Sequence, residues 1–139
     1  MPDASSPPYF QSVAGLIIEH AAAGYAELRY LPGKRQPTDL HVLLTQLGRL
    51  LLARGWHKFL ADNRYMAPFT GAEKEWFVTY WLGGQLPRPA PLLGVIVLPV
   101  DVVARLSFLE LYAQATATSI TYRTYTELPE AQAYLAQVS

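Results

Sequence analysis

The residues with the clearest chemical potential follow a short apolar segment, 56–61, in the middle of the chain. Asp62 comes directly after this segment, and Arg64 follows two positions later. In an open α/β sheet, the carboxyl end of a strand is where ligand and partner sites tend to form. A catalytic carboxylate also needs a second acid or base nearby, and the sequence supplies no obvious one. We therefore interpret Asp62 and Arg64 either as an ion pair or as contacts for a ligand or partner.

Thr70 opens the sequence Thr-Gly-Ala-Glu, which has the form of a helix capping box. In such a box the threonine hydroxyl accepts a hydrogen bond from the backbone N–H of Glu73, and the Glu73 carboxylate reaches back. The pattern predicts a helix that begins here. A phosphate is electrostatically favoured at a helix start, so phosphorylation of Thr70 is the alternative interpretation.

Four aromatic residues follow in the same predicted helix: Trp76, Phe77, Tyr80 and Trp81. Residues four positions apart share a helix face, so these residues form two adjacent stripes. Either the helix is deeply buried, or its outer stripe meets a second copy of the chain, another protein or an apolar ligand. Because tryptophan and tyrosine are favoured at interfaces, Trp76, Tyr80 and Trp81 are candidate interface or ligand residues.

The other candidate residues favour structural roles. His20, His41 and His57 lack the spacing of metal ligands. The chain contains no cysteine, which excludes disulfides and thiolate sites. Segment 32–35 lacks the spacing of a phosphate loop and predicts a solvated turn. The proline-rich segment 87–91 predicts a rigid connector, with recognition as a polyproline helix as its alternative. We expect no metal, no cofactor and no catalysis.

The composition predicts one folded domain. The chain has 139 residues, of which 51% are apolar, enough for a sizeable core. Its 11 basic and 11 acidic residues balance, so no charge pattern indicates nucleic acid or an anionic membrane as a partner. No apolar run approaches the roughly 20 residues of a membrane-spanning helix, and residues 1–8 lack the pattern of a signal peptide. We expect a flexible tail over residues 1–8, one domain over residues 9–139, no integral membrane segment and a cytoplasmic location.

Hydrophobic patterning predicts strands at 13–20, 25–31, 56–61, 93–98 and 120–125, of which the first two form an antiparallel hairpin. Helices are predicted from Thr38 to a stop at Gly55, from Thr70 to residue 83, over residues 101–114, and from Thr126 onwards. For the helix over residues 101–114, the pattern predicts an inward side with these members: Val102, Val103, Leu106, Leu109 and Tyr112.

The elements follow the order β-β-α-β-α-β-α-β-α. Helices that alternate with strands imply crossover connections and parallel neighbours. We therefore predict an α/β fold with a mixed, mostly parallel sheet of about five strands flanked by about four helices.

The element order and several motifs resemble the STAS family, named for sulphate transporters and anti-sigma-factor antagonists, in its small stand-alone bacterial branch. The resemblance covers roughly residues 9–138. It rests on the strand that ends in Asp62, the Thr70-Gly71 helix start, and segment 120–125 with the short helix after it. It implies a STAS-like fold and a partner-binding domain without catalysis.

In the antagonists of this family, a serine or threonine at the start of the second helix is phosphorylated by a partner kinase, and the phosphate switches binding. The usual pattern is Asp-Ser-Ser/Thr-Gly, and the matching residues here are Pro68-Phe69-Thr70-Gly71. Phe69 stands at the acceptor position, so Thr70 is the one residue of this stretch that could carry a phosphate. The resemblance places Thr70 and the loop from Asp62 to Phe69, which includes Arg64, at a partner-facing edge.

The function expected from these observations is a non-enzymatic interaction or regulatory module of the STAS type, in a bacterial signalling or sigma-factor pathway. Its partner would be a protein, either of the kinase type or a second copy of the chain in a homodimer. The alternative is a small-molecule or lipid carrier, with an apolar cleft beside Trp76, Tyr80 and Trp81.

Overall fold

A single six-stranded sheet organises the protein, whose computed structural model describes residues 7–113 and 119–138. The strands lie across the sheet in sequence order, with β1 to β3 antiparallel and β3 to β6 parallel. The predicted α/β class with a mixed sheet is confirmed. The strands are β1 (Phe10–Gln11), β2 (Gly15–His20), β3 (Tyr25–Tyr30), β4 (Lys58–Asp62), β5 (Leu92–Val97) and β6 (Ile120–Tyr125).

The helices lie on both faces of this sheet. Because crossovers between parallel strands share one handedness, strands in sequence order place their connecting helices on one face. Apolar residues of α1, the π-helix and α3 accordingly share one core cluster. Helix α4 follows the last strand and packs on the opposite face. The helices are α1 (Pro37–Arg54), α2 (Gly71–Trp76), which runs directly into a π-helix (Phe77–Leu82), α3 (Val102–Ala113) and α4 (Leu128–Gln137).

The opening of the chain differs from the prediction. Strand β1 pairs with β2, with Phe10 opposite Ile17, so the described residues form six strands rather than the five that the pattern predicts. Strand β2 begins at Gly15 rather than at residue 13, because a tight turn in which the Ser12 N–H donates to the Gly15 carbonyl reverses the chain first. The predicted hairpin of β2 and β3 is confirmed. Of the predicted tail over residues 1–8, residues 1–6 lie outside the described part of the chain.

Helix α1 follows its sequence pattern closely. It begins at Pro37, one residue before the predicted cap at Thr38, because proline is well suited to the first helical position. It ends at Arg54 and is capped by Gly55, the predicted stop, where φ is 67°, a left-handed conformation that favours glycine. Its leucines at helical spacing are all buried: Leu40, Leu43, Leu44, Leu47, Leu50 and Leu51.

Helix α3 is rotated relative to the prediction. Its buried residues are Ala104, Phe108 and Leu111, and the ring of Tyr112 packs against Phe77 and Tyr122. The aromatic rings take the inward side because they bury more area than valine or leucine. Gln114, the predicted end of this helix, lies outside the described residues. The predicted inward side was therefore wrong for four residues, which are exposed: Val102, Val103, Leu106 and Leu109.

Candidate interaction surface

The start of α2 is held by the predicted capping box. The hydroxyl of Thr70 accepts a hydrogen bond from the backbone N–H of Glu73 at 3.2 Å, and Glu73 Oε1 accepts one from the backbone N–H of Thr70 at 2.8 Å. Thr70 itself is exposed, whereas Glu73 is 1% exposed. The capping box therefore places the Glu73 carboxylate inside the protein, close to the exposed Thr70.

Arg35 neutralises this buried carboxylate. Its Nε donates to Glu73 Oε2 at 2.7 Å and its Nη2 donates to Oε1 at 3.0 Å, while both terminal nitrogens also donate to the Ala67 carbonyl. The guanidinium lies over the rings of Tyr30 and Phe69. The predicted solvated turn was wrong for Arg35, whose side chain is only 3% exposed, whereas Lys34 beside it is exposed. No local pattern could have revealed a partner 38 positions away in the chain.

Phe69 belongs to the core rather than to a partner-facing edge. It is 7% exposed, and its ring packs against Tyr30 and Phe77. A phosphate on the neighbouring Thr70 would stand close to the Glu73 carboxylate, where like charges repel. The geometry around Thr70 is that of a helix cap.

Asp62 and Arg64 form a two-pronged ion pair at the carboxyl end of β4. Arg64 Nε and Nη2 donate to the two Asp62 oxygens, each at 2.9 Å. Asp62 is 2% exposed, whereas the Arg64 side chain is 28% exposed. The hydrogen bonds that Arg64 donates to Asp62 raise the pKa of Arg64 above its usual value. Both carboxylate oxygens of Asp62 thus accept hydrogen bonds from Arg64.

The ion pair continues across β3 as a chain of alternating charges. Arg29 Nε lies 4.0 Å from Asp62 Oδ2, and Arg29 also donates twice to Glu27 Oε2, at 3.1 and 2.7 Å. On the other side, His20 Nε2 is 2.9 Å from Glu27 Oε1. Burial alone would raise the pKa of Glu27, but the hydrogen bonds from His20 and Arg29 outweigh it and hold the pKa below its ordinary value.

Two of the three candidate aromatic residues form a partly exposed stack. The ring of Trp76 lies between His41 of α1, at 4.2 Å, and Tyr80, at 5.4 Å between centroids. Tyr80 is 43% exposed. The stack borders an open depression of about 400 Å³, which is lined by Pro37, His41, Ala72, Glu75, Trp76, Thr79 and Tyr80.

Trp81 points the other way, into the core, and is 1% exposed. Its Nε1 donates to the hydroxyl of Tyr122 at 3.1 Å, and its ring meets the edge of Phe59. Arg88 donates to the carbonyls of Trp81 and Leu82, which end the π-helix. The interpretation of Trp81 as an interface or ligand residue is corrected, because the stripe it shares with Phe77 is the inner one.

An exposed apolar surface lies on α3, where the sequence pattern had predicted core. Four aliphatic residues of this helix are between 40 and 68% exposed, and Val100 before it is 58% exposed. The backbone N–H of Val100 donates to the carbonyl of Arg64, which joins this surface to the loop after β4 and to Tyr65, 57% exposed. We call this surface the α3 outer face, defined by Val100, Val102, Val103, Leu106 and Leu109.

The signal that could have revealed this face is that α3 carries two apolar stripes. Ala104, Phe108 and Leu111 form one at helical spacing, and Val102, Leu106 and Leu109 form the other. A helix lying on a sheet can bury only one of them in its own core. The stripe that contains Phe108 is the stronger candidate for the inner one, because an aromatic ring buries a large area.

Within residues 7–113 and 119–138, no group of three His, Asp or Glu side chains is arranged to hold a metal ion. None of the helices in this part of the chain combines the length and apolarity needed to cross a membrane. Comparison of the chain with protein-family models, curated proteins and solved structures finds no match.

Proposed function

We propose that this protein is a non-enzymatic protein-interaction module that docks its partner through the α3 outer face. The observation that carries the proposal is the exposure of Val102, Val103, Leu106 and Leu109 along one helix. Isolated exposed aliphatic residues are ordinary, but soluble proteins rarely expose a large contiguous apolar patch unless it is an interaction site.

The ionisable residues of the candidate site support a binding role. Asp62 is paired with Arg64, and Glu73 with Arg35. Carboxylates held in this way position loops and are poorly placed to exchange protons with a substrate. The α3 outer face adjoins the loop that carries Arg64 and offers exposed apolar area to a partner.

The resemblance to the STAS family supports a regulatory role for this interaction, in a bacterial cytoplasmic signalling pathway. The order on which the resemblance rests, an antiparallel pair followed by alternating helices and strands, is present apart from the added strand β1. Thr70 is exposed at the start of the second helix. A phosphate there would have to displace Glu73 from its capping bond, so any switch at Thr70 would act by loosening the start of α2.

The proposal is tested by purifying the protein gently from its own cells and recording native mass spectra of three forms. The wild type is expected to retain a protein partner, Leu106→Glu to lose it, and Leu52→Glu to keep it. Leu52 is a matched control because it is an exposed leucine, 48% accessible, on α1. A partner that Leu106→Glu retains, or a wild type that carries none, would refute docking at this face. Fragmentation of the same sample shows whether Thr70 carries a phosphate.

A second candidate function is a small-molecule carrier that uses the depression beside Trp76 and Tyr80. The observation in its favour is the position of the depression, at two of the three residues named for this alternative. Solvent extraction of purified protein followed by mass spectrometry would detect a bound apolar compound. Tyr80→Ala is expected to lose that compound, and Tyr65→Ala, an exposed tyrosine outside the depression, to retain it.

A further inference from the structure

We propose that the partner of the α3 outer face is a second copy of this chain, bound through a parallel pairing of the two α3 helices. This inference rests on the proposed function and names its partner. The spacing of the exposed apolar residues, the charges that flank them and the available area support this pairing.

The spacing favours a helix as the occupant. The exposed residues Val102, Leu106, Leu109 and Ala113 follow one another at intervals of four, three and four. This alternation is the heptad spacing of a coiled-coil seam, in which each apolar side chain inserts between side chains of the facing helix.

The flanking charges favour a second copy in parallel orientation. Arg105 lies on one side of the seam and Glu110 on the other, five positions later. In a parallel helix pair, residues with this offset approach each other across the interface, so Arg105 of each copy meets Glu110 of the other. In an antiparallel pair, Arg105 would instead lie beside Arg105 of the other copy and Glu110 beside its Glu110, so like charges would repel.

Arg105 can take part in this pairing by exchanging one acceptor for another. Its partly exposed side chain donates from Nε to the Pro99 carbonyl at 3.0 Å, toward the start of the helix, and pairing with Glu110 of the other copy would replace this bond. The other nitrogens of a guanidinium still offer donors to a carboxylate. Glu110 is exposed on the same helix.

The available area predicts a reversible dimer. A helix of 12 residues is about 18 Å long, and its outer face supplies only part of the roughly 800 Å² per partner of a standard interface. We therefore expect dissociation in the micromolar range, with monomer and dimer exchanging.

The test is sedimentation equilibrium of the purified full chain from micromolar to millimolar concentration. The wild type is expected to dimerise, and Leu106→Glu to weaken the dimer at least about 100-fold, because both copies lose a buried leucine and gain a charge. Leu52→Glu is expected to leave it unchanged. A wild type that remains monomeric throughout overturns the second copy as the partner.

A charge-exchange series tests both the partner and the orientation. Arg105→Glu and Glu110→Arg should each weaken the dimer by about tenfold, and the double variant should restore it, because only a parallel pair of identical chains re-forms both ion pairs. Single variants with no effect, or a double variant that is not restored, overturn the parallel pairing. Circular dichroism of each variant confirms that it is folded.

These outcomes also separate the inference from the proposed function. A monomeric wild type that still binds a different protein, and loses it on Leu106→Glu, overturns the second copy while the docking face stands. A monomer that binds nothing through this face refutes both.

Discussion

Arg35 and Glu73 lie 38 positions apart in the chain, and their side chains are joined inside the protein by hydrogen bonds of 2.7 and 3.0 Å. Arg35 belongs to the loop after β3, and Glu73 to the first turn of α2. The pair therefore holds the start of α2 against the loop that follows β3. It thereby fixes the position of the exposed Thr70.

Removing one member of this pair should strongly destabilise the protein. Arg35→Met leaves Glu73 buried without its cation, and we expect a loss of about 3–5 kcal/mol in the free energy of unfolding. Urea denaturation measures this loss. Combining the change with Glu73→Gln should recover much of it, because no uncompensated charge remains. Arg54→Met, which removes an arginine from the exposed pair with Glu19, is the control and should change stability little.

Thr70→Ala should cost about 1 kcal/mol, because the hydroxyl is an N-cap that accepts from the Glu73 backbone. Thr70→Ser keeps the acceptor and should retain most of the stability. Thermal unfolding of the three proteins checks both values. If Thr70→Ala abolished partner binding at unchanged stability, the hydroxyl would have a functional role beyond capping.

The two aromatic stripes of the α2 and π-helix segment should respond differently to truncation. Trp81→Ala removes a buried ring and its hydrogen bond to Tyr122, and we expect a loss of about 3–5 kcal/mol. Tyr80→Ala, at an exposed position, should cost much less. Denaturant unfolding followed by far-ultraviolet circular dichroism compares them, and equal losses would contradict the assignment of inner and outer stripes.

The hydrogen bonds that Glu27 makes with His20 and Arg29 should make the stability of the protein fall at acid pH. Because the pKa of Glu27 in the folded protein is below its ordinary value of 4.5, the unfolded chain binds the proton more readily. The stabilisation is complete above about pH 4.5 and is lost as the pH falls through the lower, folded pKa. Glu27→Gln should therefore be less stable than the wild type at neutral pH, by about 1–3 kcal/mol, and the difference should shrink on acidification. Urea midpoints measured from pH 7 to pH 3 test this, and a constant difference would contradict it.

Local patterns predicted much of the fold because they depend on neighbouring residues. The leucine spacing of α1, its stop at Gly55 and the capping box at Thr70 each need only a few consecutive residues to specify them. Strand β1 escaped prediction because a strand of two residues has no periodicity to detect.

The candidate site was less predictable because its contacts join distant parts of the chain. Phe69 and Trp81 are core residues owing to rings supplied by Tyr30, Phe59 and Tyr122. Helix α3 has two apolar stripes, of which only one can face the core. Phe108 and Tyr112 face the core, where Tyr112 packs against Phe108 and against rings of the π-helix and β6. The aliphatic stripe is therefore exposed.

The sequence by itself determined the α/β class, the alternation of helices and strands, and the caps, because hydrogen bonding and hydrophobic periodicity act over a few residues. Only the tertiary structure decided which stripe of α3 faces solvent, which carboxylates are neutralised, and that Trp81 is buried while Tyr80 is exposed. Those outcomes depend on which side chains fill the space between helix and sheet, and that competition is settled among residues far apart in the chain.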